Sequence, residues 1–192
     1  MSAGTKLHAA AARPVAERLL AAIAPACERC DIAGSLRRGR ETVGDIEIVA
    51  QPIVTLDMFG DTTGQYPQLD AVIAGLIRTG AIAFDIVIKR DGPRLKRFVV
   101  HELGGFVFEI FIAQAGNYGN QLVIRTGPAE YSTWIMTTEP YGAMPRGLRQ
   151  ADGFLWRGTE RLVCNSEADY YAALGLPVLP PSERDTWLER RR

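Results

Sequence analysis

Asp45 and Glu47 stand two residues apart in a stretch, Asp45 to Ala50, whose polar and apolar residues alternate. That period of two predicts a strand, and residues two apart on a strand project from the same face. Ile46 and Ile48 then point to the opposite face, into a core. Two carboxylates held side by side repel each other unless a cation sits between them. Hard divalent ions such as Mg²⁺ take oxygen ligands and are often held by one or two carboxylates together with substrate phosphates. A third acid, Glu109, lies among Val107, Phe108, Ile110 and Phe111. An acid centred in an apolar strand has to be paired, ligating or turned to water. Asp45, Glu47 and Glu109 are therefore the candidate catalytic and metal-binding residues.

Upstream runs Gly34-Ser35-Leu36-Arg37-Arg38-Gly39, with Gly44 just before the first acid. A Gly-Ser turn joining a strand to a helix offers backbone N–H groups and a hydroxyl to anionic oxygens. Arg38 can add a charge-assisted phosphate contact. A phosphate cradle followed by a metal-binding strand is what nucleotidyl transfer requires, because that chemistry is mostly alignment, with metals neutralising developing charge. Each piece alone is ordinary. An Asp-x-Glu pair is most often a solvated face, a Gly-Ser pair a turn, and two adjacent arginines a surface feature. Their order, together with the third acid on a later apolar strand, is what points to chemistry.

These residues need a scaffold. Residues 1–13 are small and Ala-rich and read as a flexible tail. A helix is expected from Pro14, with Val15, Leu19, Ala22 and Ile23 at helical spacing, bent or ended by Pro25 and the Cys27–Cys30 segment. Asp31 to Ala33 reads as a short strand entering the Gly-Ser turn. Residues 55–68 read as a loop, and Leu69, Val72, Ile73, Leu76 and Ile77 mark one face of a helix closed by Gly80. Strands are expected at Phe84–Lys89, Leu95–Val100 and Phe106–Ile112, with Asp91-Gly92 as a hairpin signal. Beyond Gly116 and Gly119 come short helices near Gln121–Ile124 and Ala129–Met136, a hairpin of Phe154–Trp156 with Arg161–Val163, and a helix from Glu167 to Leu174. The expected fold class is α+β: a mixed sheet with flanking helices over residues 14–115, then a smaller α+β lobe over 116–192.

The chain has 192 residues, with 22 Lys+Arg against 22 Asp+Glu. Zero formal charge excludes strong, purely electrostatic binding to nucleic acid or anionic lipid from the total alone. Only local clustering could supply it: Lys89, Arg90, Arg94, Lys96 and Arg97 fall on the expected hairpin, where they could track a phosphate backbone or form a solvated tip that keeps an edge strand from pairing. No apolar run is long enough for a membrane span, and Arg13, Glu17 and Arg18 interrupt the N-terminal apolar stretch, so neither anchor nor signal peptide is expected. Three cysteines, Cys27, Cys30 and Cys164, suit a reducing cytoplasm better than a disulfide framework. Cys27 and Cys30 have zinc-knuckle spacing, but no second ligand pair follows, so a closed zinc site is not expected. Trp134, Trp156 and Trp187 read as packing residues.

At Gly34-Ser35-Leu36-Arg37-Arg38-Gly39 and Gly44-Asp45-Ile46-Glu47 the sequence resembles the nucleotidyltransferase superfamily, and more closely the family X DNA polymerases of the polymerase β group. The resemblance continues through Thr126-Gly127, Gly153-Phe154-Leu155, Glu167-Ala168-Asp169-Tyr170, Leu174-Gly175-Leu176-Pro177 and Pro180-Pro181-Ser182-Glu183-Arg184. It covers about residues 14–188, and the C-terminal pattern is the more specific part. It implies a nucleotidyltransferase palm followed by a thumb-like, nucleotide-binding lobe. It implies that Asp45 and Glu47 hold two Mg²⁺ ions, with Mn²⁺ as a substitute, and that Glu109 completes the site that activates a primer 3′-hydroxyl and takes its proton. Gly34, Ser35, Arg38 and Gly44 are implied to bind the triphosphate, and Arg125, Thr126 and Gly127 to line the nucleotide. The implied partners are a (d)NTP and primer-template or gapped DNA, acted on by a monomer.

The chain departs from that family at several positions. Glu47 and Glu109 stand where Asp is usual, Ile124-Arg125 where an aromatic pair precedes Thr-Gly, Val107 where an Arg stands two before the third acid, and Ser132 where an Asn follows. Within these 192 residues no lyase or helix-hairpin-helix module is expected. Two other readings therefore stand beside a minimal polymerase: a nucleotidyltransferase acting on a small molecule, an RNA end or a protein, and a non-catalytic nucleic-acid-binding domain.

Overall fold

The computed structural model describes residues 6–55, 65–85 and 91–187. In chain order its strands and α-helices are β1 (Leu7–His8), α1 (Ala9–Ile23), β2 (Cys27–Ile32), α2 (Gly34–Arg37), β3 (Thr42–Val43), β4 (Ile46–Pro52), α3 (Pro67–Arg78), β5 (Ile82–Phe84), β6 (Leu95–Val100) and β7 (Phe106–Ile112). There follow α4 (Tyr118–Thr126), α5 (Ala129–Met136), β8 (Leu148–Ala151), β9 (Phe154–Arg157), β10 (Glu160–Leu162) and α6 (Glu167–Ala173). The fold is α+β. It divides into two units, one of Met1–Ile32 with Glu41–Ile112, the other of Ala33–Arg40 with Ala113–Arg192. The boundary expected at residue 115 falls at Ile112, and the short segment carrying the Gly-Ser turn belongs to the second unit.

The first unit is built on a five-stranded sheet in the order β2-β4-β7-β6-β5. β4 and β7 run parallel; the other neighbours are antiparallel. On one face Ile46, Ile48 and Ala50 of β4, Phe108 and Ile110 of β7 and Phe98 of β6 are completely buried. α1 packs on β2 and β4, and α3 packs on β5 and on α1. α1 offers Ala12, Val15, Ala16, Leu19 and Ile23, α3 offers Leu69 and Ile73, each a stripe at helical spacing.

Two expectations are corrected here. The segment read as a tail is structured from Leu7: β1 pairs with β3, and α1 begins at Ala9, ahead of Pro14. His8 explains the early start, because its Nδ1 accepts the Ala10 N–H at 3.1 Å and so caps the helix. Ala12 then sits in the core with no exposure, which offsets the backbone bond that Pro14 cannot make. The Cys27–Cys30 segment is the start of β2 rather than a bend closing a helix, since a single 3₁₀ turn at Ala24–Ala26 absorbs Pro25.

The second unit joins α2, α4, α5 and α6 with a three-stranded antiparallel sheet in the order β10-β9-β8. Val123, Tyr131, Ile135, Met144, Leu155 and Tyr170 form its core. Tyr131 and Tyr171 share a buried hydroxyl–hydroxyl bond of 2.6 Å. Trp134 and Trp187 pack with ring centroids 3.8 Å apart and planes tilted by 40°. α4 meets the start of α6 at Gly119, where an added Cβ would lie 1.9 Å from the Ser166 carbonyl oxygen. A side chain there is excluded. β8 lies in a stretch where the sequence predicted no element. Among the described residues no helix is long and apolar enough to cross a membrane.

Candidate metal centre and nucleotide site

The acids come together through strand register. β4 and β7 are parallel neighbours with Glu47 directly opposite Glu109, so both side chains rise from the same face. That face is the reverse of the one carrying Ile46, Ile48 and Ile110. Asp45 sits one residue before β4 rather than inside it. Asp45, Glu47 and Glu109 are all half-buried, and one carboxylate oxygen from each lies within 4.8 Å of the others. A set of oxygen donors with no nitrogen or sulfur fits a hard divalent cation such as Mg²⁺ or Mn²⁺.

Glu109 is held from the neighbouring strand. β6 places Arg97 opposite Glu109, and Arg97 Nη1 donates to Glu109 Oε1 at 2.7 Å. The same guanidinium donates from Nε to Asp85 Oδ2 at 2.8 Å. Burial works against the charged guanidinium, but Asp85 and Glu109 outweigh it and hold its pKa above the ordinary arginine value. Asp85, 7% exposed, is an acid that sequence reading passed over. A signal was present, since it directly follows the apolar Ile82–Phe84 run as Glu109 sits within its own. Only the sheet register connects the two acids through Arg97.

The basic hairpin changes character. Lys89 and Arg90 lie outside the described residues. Lys96, expected to face a phosphate backbone, is 7% exposed. Its Nζ lies 2.7 Å from Asp91 Oδ1 and 2.9 Å from Asp70 Oδ1. Strand alternation puts it on the helix-covered face, toward Asp70 of α3. Arg97 falls on the opposite face and is engaged by Asp85 and Glu109. Arg94 is exposed. Of the row of charges read along the sequence, Lys96 and Arg97 are therefore divided by the pleat.

In the second unit the Gly-Ser turn opens α2. Gly34 takes a left-handed conformation, φ 62°, which glycine adopts at no steric cost. Ser35 Oγ is buried with no hydrogen-bond partner among the described residues. Both arginines that follow are drawn inward. Arg37 makes a two-pronged pair with Glu167, Nη1 to Oε1 and Nη2 to Oε2 both at 2.8 Å, and donates to Thr126 Oγ1 at 3.0 Å. Arg38 donates to the Thr126 carbonyl at 2.8 Å and to Asp185 Oδ1 at 3.0 Å. Glu167 also accepts from Arg184, whose side chain is fully buried. Burial pushes the Glu167 carboxyl up, but Arg37 and Arg184 outweigh that and hold it below the ordinary carboxylate value.

Thr126 is itself completely buried, so its hydroxyl serves Arg37. Gly127 follows in extended backbone at φ −72°, and a Cβ there would lie 2.5 Å from the Tyr131 ring. Arg125 is exposed. Gly44, in the first unit, has open space where a Cβ would stand. The roles of Arg37, Glu167, Arg184 and Asp185 were not foreseen, although Glu167 and Arg184 lie in segments that carry the family resemblance. Comparison of the chain with protein-family models finds no match, and comparison with curated proteins finds none either.

Proposed function

We propose that the protein transfers a nucleotidyl group from a (d)NTP to a nucleic acid 3′-hydroxyl, in the manner of a minimal polymerase of the polymerase β type. The observation that carries this is the convergence of Asp45, Glu47 and Glu109, from two separate segments, within 4.8 Å. The three carboxylates would hold Mg²⁺, with Mn²⁺ as a substitute, and the family resemblance implies two ions. When bound, such ions neutralise phosphate charge and ease ionisation of the attacking hydroxyl.

The chain's own residues supply the rest. Glu109, fixed by Arg97, is the proton acceptor for the 3′-hydroxyl. Gly34, Ser35, Arg38 and Gly44 are assigned to the triphosphate, with Ser35 Oγ the hydroxyl left open for a phosphate oxygen. Arg38 reaches a phosphate by sharing its guanidinium with Asp185 or leaving it. Arg125, Thr126 and Gly127 are assigned to the nucleotide, Thr126 through its backbone because its side chain is buried. The presence of three free thiols suits a reducing compartment such as the cytoplasm.

The test is single-nucleotide incorporation on gapped, nicked and single-stranded primers, comparing dNTP with NTP and Mg²⁺ with Mn²⁺. Incorporation that Asp45→Ala abolishes is expected. The same blank result from wild type and Asp45→Ala with both metals refutes the polymerase reading. A second reading, transfer to an acceptor other than DNA, is favoured by one observation: Lys96 and Arg97 are committed inside the fold. Labelled-nucleotide transfer to RNA ends, small hydroxylated molecules and proteins separates the two.

A further inference from the structure

Cys27 and Cys30 take no part in the function proposed above. Three residues apart on a regular strand, they would face opposite sides of the sheet. The ladder between β2 and β4 shows that they do not. Cys27 pairs with Pro52, Arg29 with Gln51 and Cys30 with Ala50, so β2 spends Glu28 as one extra residue while β4 advances by one. This is a β-bulge. It brings Cys27 and Cys30 two ladder positions apart and onto the same face, the one carrying Ala50 and Ile48.

Cys27 is buried and Cys30 half-buried, and both are free. β2 ends the order of the five-stranded sheet, so Cys30 lies on an edge strand. We propose that Cys27 and Cys30 are a dithiol modification site, oxidised by a hydroperoxide to a reversible intrachain disulfide.

The chemistry divides between the two residues by exposure. Cys30, the more accessible, attacks one peroxide oxygen as the thiolate. The O–O bond breaks, hydroxide leaves, and Cys30 becomes a sulfenic acid. Cys27 sulfur then attacks Cys30 sulfur. The S–S bond forms, the S–O bond breaks, and the departing hydroxide takes the Cys27 proton as water. Two thiols and one hydrogen peroxide give one disulfide and two waters, a two-electron oxidation of sulfur.

Distance argues for reversibility. Two ladder positions span about 6.6–6.8 Å of strand, at the long end of the Cα separation that a disulfide bridges. A bond closed across such a span is readily reduced. Cys164 belongs to the second unit and serves as an internal control.

The experiment uses the full chain, reduced and then treated with hydrogen peroxide under native conditions. Free thiols are counted by maleimide mass-tagging, and peptides are mapped by mass spectrometry. The count of three cysteines is expected to fall to one, with the intact mass lighter by two hydrogens. Cys27 and Cys30 should appear in one linked peptide, and dithiothreitol should restore all the thiols. Cys27→Ser should stop at a sulfenic acid on Cys30 that dimedone captures, and Cys30→Ser should leave Cys27 reduced. Retention of all three thiols at peroxide levels that oxidise exposed protein thiols overturns the proposal. So does a disulfide that involves Cys164 or joins two chains. These readouts do not depend on nucleotidyl transfer, so the proposal stands or falls apart from the function above.

Discussion

Replacing Glu167 by Gln removes one negative charge and leaves two guanidinium groups facing each other. Arg184 has a fully buried side chain, Glu167 is 15% exposed and Arg37 23%, so solvent offers little relief. At an effective dielectric of about 20, one charge pair 4 Å apart is worth about 4 kcal/mol before desolvation. Breaking one partner of a buried pair costs about 3–5 kcal/mol, whereas an exposed surface pair is worth about 0–1 kcal/mol. The burial of this cluster selects the larger figure. For a chain of this length each kcal/mol moves the melting temperature by about 2–4 °C, so a fall of roughly 6–20 °C is expected. Urea unfolding should be followed both by far-UV circular dichroism and by tryptophan fluorescence, because a chain of two units need not unfold in one step. The pH dependence supplies a second readout. The Glu167 carboxyl is depressed in the folded state, so its contribution is complete above the ordinary carboxylate value of 4.5 and is lost as pH falls toward and through the lower native value. The gap between wild type and Glu167→Gln should therefore be full at neutral pH and narrow below 4.5. A loss under about 1 kcal/mol, or a gap that widens in acid, refutes the view of this cluster as a buried strut.

Three further outcomes follow from the same geometry. Arg97→Lys keeps a charge but loses the fork that reaches Asp85 and Glu109 together, and is expected to weaken Mn²⁺ binding about 10–100-fold; calorimetric titration checks it, and unchanged affinity would remove Arg97 as a positioning residue. Arg94→Ala is expected to lower the slope of log DNA affinity against log salt by about 0.9, and Lys96→Met to leave that slope unchanged, as filter binding across salt concentrations would show. Gly119→Ala forces a Cβ to within 1.9 Å of the Ser166 carbonyl oxygen and is expected to cost about 3 kcal/mol or more, read from the urea midpoint; a near-neutral result would mean that α4 and α6 can separate at little cost.

β6, β7 and α5 appear at the bounds read from alternation or helical spacing, because those segments carry a strong period and end at glycine or a turn. β8 was missed because Leu148-Arg149-Gln150-Ala151 is short and flanked by glycines, so its strand character comes from pairing with β9. Pro14 reads as a helix opener, but His8 caps α1 six residues before it. Each miss is a case where a partner distant in sequence, or a cap, outweighs local preference.

The acids and the arginines show what kind of inference a single sequence allows. Period and residue type singled out Asp45, Glu47 and Glu109, since an acid within an apolar strand needs a reason to be there, and the family resemblance implied that the three would meet. Which cation each acid would have could not be read the same way. Arg97 lies twelve residues before Glu109 in the chain, and only antiparallel register sets them opposite. Lys96, its immediate neighbour, goes to the other face and to other acids. The pair Lys96-Arg97 looks like one patch in sequence because charge adds along a line. In a sheet it splits, because adjacent side chains leave on opposite sides. The same rule, broken once by the bulge at Glu28, puts Cys27 and Cys30 on a common face. Parity along the strand decides which charged groups can act on a ligand and which instead hold the fold, and a single inserted residue reverses it.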